Sequence, residues 1–166
     1  TLSYELREGS LATYDAFYDA LASRLDVLAE RGPFVLLDVH SYNRRRDGAE
    51  EPPAPEDDNP EVNVGTGSLD RDGFGALVDR FLADLGDAST GSGPVDAREN
   101  VRFRGAHLAS WVHDRYPGVG CVLALEFKKT FMDEWTGEVD EDGLSAAQEG
   151  LAATLPGLRD ELEKMR

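Results

Sequence analysis

Two stretches of the chain are apolar almost without a break, Phe34-Val-Leu-Leu-Asp-Val39 and Cys121-Val-Leu-Ala-Leu-Glu-Phe127. Each has strand length, and neither alternates between apolar and polar residues as a strand with one wet face does. Such a strand has to be covered on both faces. That is the situation of a central parallel strand held between layers of helices.

The remaining periodicities supply those layers. Leu11, Tyr14, Tyr18, Leu21, Leu25 and Leu28 follow one another in steps of three and four, the apolar face of an amphipathic helix with Ser10 as its expected N-cap and Gly32 as its stop. Leu69, Phe74, Leu77, Val78, Phe81, Leu82 and Leu85 predict a second helix, and Leu108, Trp111, Val112 and Arg115 a short one closed by Pro117. A last helix is expected over 143–165, interrupted near Pro156. Residues 61–65 read as a short strand and 100–104 as an edge strand. The acidic, proline-rich segment 47–60 reads as an exposed loop, and 86–94, rich in Gly and Ser, as another. Met132 to Gly137 reads as a turn with an aromatic anchor, and Trp111 as core. The rhythm predicts an α/β fold, a three-layer sandwich with a mostly parallel central sheet, in one domain over residues 1–166 without internal repeats.

Charge and cysteine content narrow the function. With 33 Asp and Glu against 17 Lys and Arg, the net charge of -16 repels nucleic-acid backbones and anionic membranes, so neither is an expected partner. No apolar run approaches the roughly 20 residues of a membrane span. Cys121 has no second cysteine to pair with. A cytoplasmic chain is the expectation.

In sheets of this class, sites form beyond the carboxyl ends of the strands. Here the first apolar run ends in Asp38-Val-His40-Ser-Tyr-Asn43 and the second in Glu126-Phe-Lys-Lys129. A carboxylate directly after Val-Leu-Ala-Leu needs a cation, a metal or a set of donors if it is buried. Taken singly, His40 also reads as a structural histidine, and Glu126 as the partner of a neighbouring lysine. Lys128 and Lys129 alternate faces, so at most one joins Glu126.

At these residues the chain resembles a family. Asp38-Val-His40-Ser41-Tyr42-Asn43 is similar to the His-Ser-Tyr segment of zinc carboxypeptidases and the Asp-x-His-Ser segment of N-formylglutamate amidohydrolases. Leu125-Glu126-Phe127-Lys128 is similar to their late strand. The wider stretch, Phe103-Arg-Gly-Ala-His-Leu108 and Ala124 through Gly137, resembles the amidohydrolases more than the carboxypeptidases.

The resemblance implies a carboxypeptidase-like fold and zinc-dependent hydrolysis of the amide bond of an N-formyl- or N-acyl-amino acid. It makes His40 a zinc ligand and Glu126 the general base that takes a proton from water and returns it to the leaving nitrogen. Asp38, on the same side of the strand, becomes the carboxylate that fixes the His40 tautomer, with a capping or salt-bridging role as the alternative. A small carboxylate substrate calls for guanidinium groups. Arg44, Arg45 and Arg46 follow the motif directly, though they could equally pair with the acids at 50–58. Asn63, Arg104 and His107 are further candidate substrate contacts. A zinc carboxypeptidase-like deacylase and a metal-free ligand-binding relative are the alternative readings.

One departure stands out. The family places a His-x-x-Glu pair of zinc ligands early in its fold, and no His precedes His40 here, nor is His107 or His113 followed by Glu three residues later. With no initiator Met, an incomplete copy, the carboxyl-terminal part of a longer enzyme, is the expectation.

Overall fold

The computed structural model describes residues 3–45, 47–88 and 93–166. In chain order the elements are α1 (Tyr4–Ala29), β1 (Phe34–Tyr42), β2 (Val62–Gly65), α2 (Arg71–Asp87), β3 (Ala97–Glu99), α3 (His107–Arg115), β4 (Gly120–Lys128), α4 (Glu141–Ala153) and α5 (Leu155–Lys164). The strands form one sheet in the order β1-β4-β2-β3. Two of its pairings, β1 with β4 and β2 with β3, are parallel, and β2 runs antiparallel to β4. The sheet is therefore mixed, with helices on both faces.

β4 is one of the two inner strands, and its alternating side chains found two cores. Cys121, Leu123 and Leu125 pack with Val62, Val64, the α2 residues Phe74, Leu77, Val78, Phe81 and Leu85, and Leu158 of α5. Val122 points the other way, into a smaller cluster with Leu25 of α1, Phe34, and Ala109, Val112 and Tyr116 around α3. This two-sided burial is why the β4 run lacks alternation, whereas β1, expected as a second central strand, lies at the edge of the sheet and is only partly buried, with Val39 exposed. Buried on one of these faces, the Cys121 thiol is pushed up to about 12 and stays protonated.

Several boundaries differ from the sequence expectation. α1 starts at a Ser3 cap, whose Oγ accepts from the Leu6 amide at 3.3 Å. Ser10 instead lies inside the helix, its hydroxyl donating to the Leu6 carbonyl at 2.9 Å. The edge strand sits at Ala97–Glu99, because the backbone of 100–103 is bonded elsewhere. Trp135 is half exposed and anchors no core. Segment 47–60 is exposed only in part: Asn59 and Pro60 are buried, and the buried Lys128 ammonium reaches Glu56 at 2.5 Å and the Asn59 carbonyl at 2.8 Å. The break near Pro156 falls between α4 and α5, where the Thr154 hydroxyl donates to the Leu151 carbonyl at 2.8 Å. Among the described residues no helix is long and apolar enough to cross a membrane.

Candidate active site

Register brings the two polar strand ends together. His40 of β1 stands directly beside Glu126 of β4, and Asn63 of β2 stands beside Glu126 on its other side. Neighbours in register share a sheet face, so all three side chains emerge on the face covered by α1 and α3. Asp38, two residues before His40, shares that face, and its Oδ1 lies 2.7 Å from His40 Nε2. The carboxylate is largely covered while the imidazole is half exposed. This contact fixes one ring nitrogen and leaves the other available.

A cavity of about 270 Å³ opens over these residues, lined by Asp38, His40, Arg102, Phe103, Arg104, Gly105, Ala106, Ala124 and Glu126. Partial burial raises the Glu126 carboxyl above its ordinary value, with His40 opposing the shift and the Asp38 charge adding to it. Such a carboxyl is a stronger base than one in water, which suits it to accept a proton.

The far wall of the cavity is a loop rather than an element. Asn63, fully buried, accepts from the Arg102 and Phe103 amides at 2.8 and 3.2 Å and donates to the Phe103 carbonyl at 2.7 Å. Its amide is thus committed to holding 102–103, and a substrate meeting it would have to displace that loop. Asn100 closes the other end in a left-handed conformation, its amide donating to the Val64 carbonyl at 2.9 Å and its Oδ1 accepting from Thr66. The loop comes so near β2 that glycines are required: a Cβ at Gly65 would stand 2.4 Å from the Gly105 nitrogen, and one at Gly67 2.8 Å from the Arg104 carbonyl oxygen.

The other expected residues are placed elsewhere. Arg44 does not line this cavity; it lines a separate one with Arg45, Asp133, Glu138 and Asp140, while Glu134 accepts from the Arg44 and Arg45 amides. The arginines that line the cavity with Glu126 are Arg102 and Arg104. Arg46 lies outside the described residues. His107, the first residue of α3, hydrogen-bonds through Nε2 to the Tyr14 hydroxyl, and its ring packs on Tyr14 and Tyr18 with centroids 5.8 and 5.5 Å apart. It borders the site from the α1 side without lining the cavity. Of the lysines, Lys128 is taken up by Glu56, and Lys129 donates to Asn43 Oδ1 at 2.9 Å.

The donor set falls short of a metal site. Zinc catalysis takes about three protein ligands and leaves one position open. Among the described residues no group of three or more His, Cys, Asp or Glu is arranged to hold an ion. His40 is the one imidazole at the cavity, with Asp38 and Glu126 beside it. These residues do not by themselves fit a complete zinc site.

The sequence and the fold have parallels among known proteins. The family model described as N-formylglutamate amidohydrolase matches residues 4–132. The fold is similar to the crystal structure of an N-formylglutamate amidohydrolase from Ralstonia eutropha JMP134, with a TM-score of 0.62 and 18% identity. The match covers 91% of this chain and 51% of that one, so the chain spans about half the length of its structural neighbour. No curated protein matches the sequence.

Proposed function

The chain belongs to the N-formylglutamate amidohydrolase family, and on that premise we propose that it carries the base and substrate-orienting part of a site that hydrolyses the amide bond of an N-formyl- or N-acyl-amino acid such as N-formylglutamate. The observation that carries this reading is the placement of Glu126. It is a partly buried carboxyl with raised proton affinity, flanked in register by His40 and Asn63 and facing two arginines across a cavity.

In this role Glu126 accepts a proton from the water that attacks the amide carbonyl carbon. As the carbon–nitrogen bond breaks, the same carboxyl returns that proton to the leaving nitrogen, giving formate or another carboxylate and the free amino acid. Asp38 holds the His40 ring in one orientation and one tautomer. Arg104 and its neighbours offer donors to the substrate carboxylates. His107 supports the wall from α1 and α3.

Zinc as cofactor is part of the proposal, with His40 as the ligand this chain offers. Elemental mass spectrometry of the protein and of His40→Ala tests that assignment: a metal content unchanged by the substitution removes His40 from it.

The reaction itself is tested with Glu126→Gln, which keeps size and hydrogen bonding but cannot carry the proton. Formate release from N-formylglutamate is expected to fall by about 10² to 10⁴. Hydrolysis that survives at the wild-type rate would sink the reading.

A further inference from the structure

Several arginines of this acidic chain are held by carboxylates. Arg71, Arg80, Arg98 and Arg115 each meet an Asp carboxylate at 2.7–3.3 Å. The two at the Glu126 cavity are different. Among the described residues neither Arg102 nor Arg104 forms an ion pair or a side-chain hydrogen bond, and the Arg102 Nε is buried with no partner. A buried donor left unmade is costly, so its retention beside a catalytic carboxylate calls for a reason.

We infer that Arg102, with Arg104 two residues on, forms the subsite that takes a carboxylate of the substrate. The inference rests on the amidohydrolase reading for the identity of the substrate, and on the following geometry for the site. Both residues line the cavity that also holds His40 and Glu126. The backbone between them is fixed by the three bonds to Asn63 and by the close approach of Gly65 and Gly67, so the loop is pre-set before a ligand arrives. The Arg102 guanidinium carbon lies 5.8 Å from the Phe103 ring centroid, and that aromatic support limits the conformations open to the side chain. A planar fork with an unused Nε–H matches a carboxylate, which accepts two parallel hydrogen bonds; a neutral amide offers a weaker and mismatched partner. Asp38 and Glu126 on the opposite wall repel a ligand carboxylate, which biases the charged end of a substrate toward the arginines and its amide toward Glu126.

Calorimetric titration of the purified chain with N-formylglutamate and with its neutral diamide tests this without requiring turnover. The wild-type chain is expected to bind the dianion and to bind the diamide at least about tenfold more weakly. Arg102→Gln should lose about tenfold or more toward the dianion with an unchanged thermal melt, and Arg102→Lys should fall between, because an ammonium keeps the charge but not the fork. If the Gln variant does not fold, the Lys variant reads the same comparison. Binding of the dianion at wild-type strength by Arg102→Gln, equal binding of both ligands by the wild type, or no binding at all overturns the subsite. The two readings fail separately. Lost binding in Arg102→Gln with full hydrolysis in Glu126→Gln keeps the subsite and removes the chemistry, and the reverse pattern does the opposite.

Discussion

Two helices cover opposite faces of the same sheet, and they do so very differently. α1 is 26 residues long and buries only Leu25, whereas α2, at 17 residues, buries Phe74, Leu77, Val78, Phe81 and Leu85. Tyr4, Leu6, Leu11, Tyr14 and Phe17 of α1 all stand in the open. The α2 face is a closed core. The α1 face is thinly covered, and it is the face on which Asp38, His40, Glu126 and the arginine loop emerge. Apolar periodicity therefore orients a helix without saying how much of its face is covered, and the site occupies the side where packing leaves room.

The largest expected effect sharpens that contrast. Truncating Phe81, fully buried on the α2 face, to Ala should cost about 3–5 kcal/mol in urea denaturation. Phe17→Ala on the exposed stretch of α1 should stay within about 0.5 kcal/mol. Comparable losses for the two would break the comparison, since Phe17 would then be covered in solution by another polypeptide or a second copy.

An intermediate effect is expected at Asn63, where the faces meet the loop. Asn63→Ala strands the Arg102 and Phe103 amides and the Phe103 carbonyl, which should cost about 1–3 kcal/mol and release the loop that carries Arg102. Denaturation together with N-formylglutamate titration checks it. Lost stability with intact ligand binding would show that the loop's position does not depend on Asn63.

Asn63 also marks the limit of what the sequence disclosed. β1 and β4 were legible because each is an unbroken apolar run, although only β4 is buried on both faces, and a polar residue at the end of such a run is conspicuous. His40, Glu126 and Asp38 were singled out as candidates for that reason. The register that sets His40 beside Glu126 lies between strands some 86 positions apart, and no local pattern encodes it. Arg102 at the cavity was not singled out because Val101-Arg-Phe-Arg104 alternates like an edge strand, while the bonds that make it a loop come from a side chain of β2. A pair of arginines flanking an aromatic before Gly105 was the available signal. The start of α1 was misplaced because Gly9-Ser10 has the composition of a cap. An exposed helical Gly costs only about 1 kcal/mol, and nothing stands within 4 Å of a Cβ built at Gly9, so the helix runs through it.

The smallest effect concerns the joint between α3 and β4. His113 accepts the Val122 amide at Nε2, 3.0 Å away, and its Nδ1 lies 2.9 Å from the Ser68 hydroxyl. β2 ends at Gly65, opposite Ala124, so the ring serves a β4 amide two residues past the last β2 pairing. An imidazolium has no lone pair to accept that bond. Burial accordingly holds the His113 pKa below its ordinary 6.5, with the Ser68 contact and the Asp114 charge opposing. With the folded value depressed, the unfolded chain binds the proton more readily between the two values, and stability rises with pH across that window. His113 thus contributes fully above about pH 6.5, and its contribution is lost as the pH falls below that value toward the folded one. His113→Gln keeps an acceptor but does not titrate. Denaturation midpoints at pH 7.5 and 5.5 should therefore differ more for the wild type than for the variant, the acids shared by both cancelling in the comparison. Equal differences would mean that the α3 side of the sheet is held without this bond. The thin face would then depend on its apolar cluster, which includes Leu25, Phe34, Val112 and Tyr116.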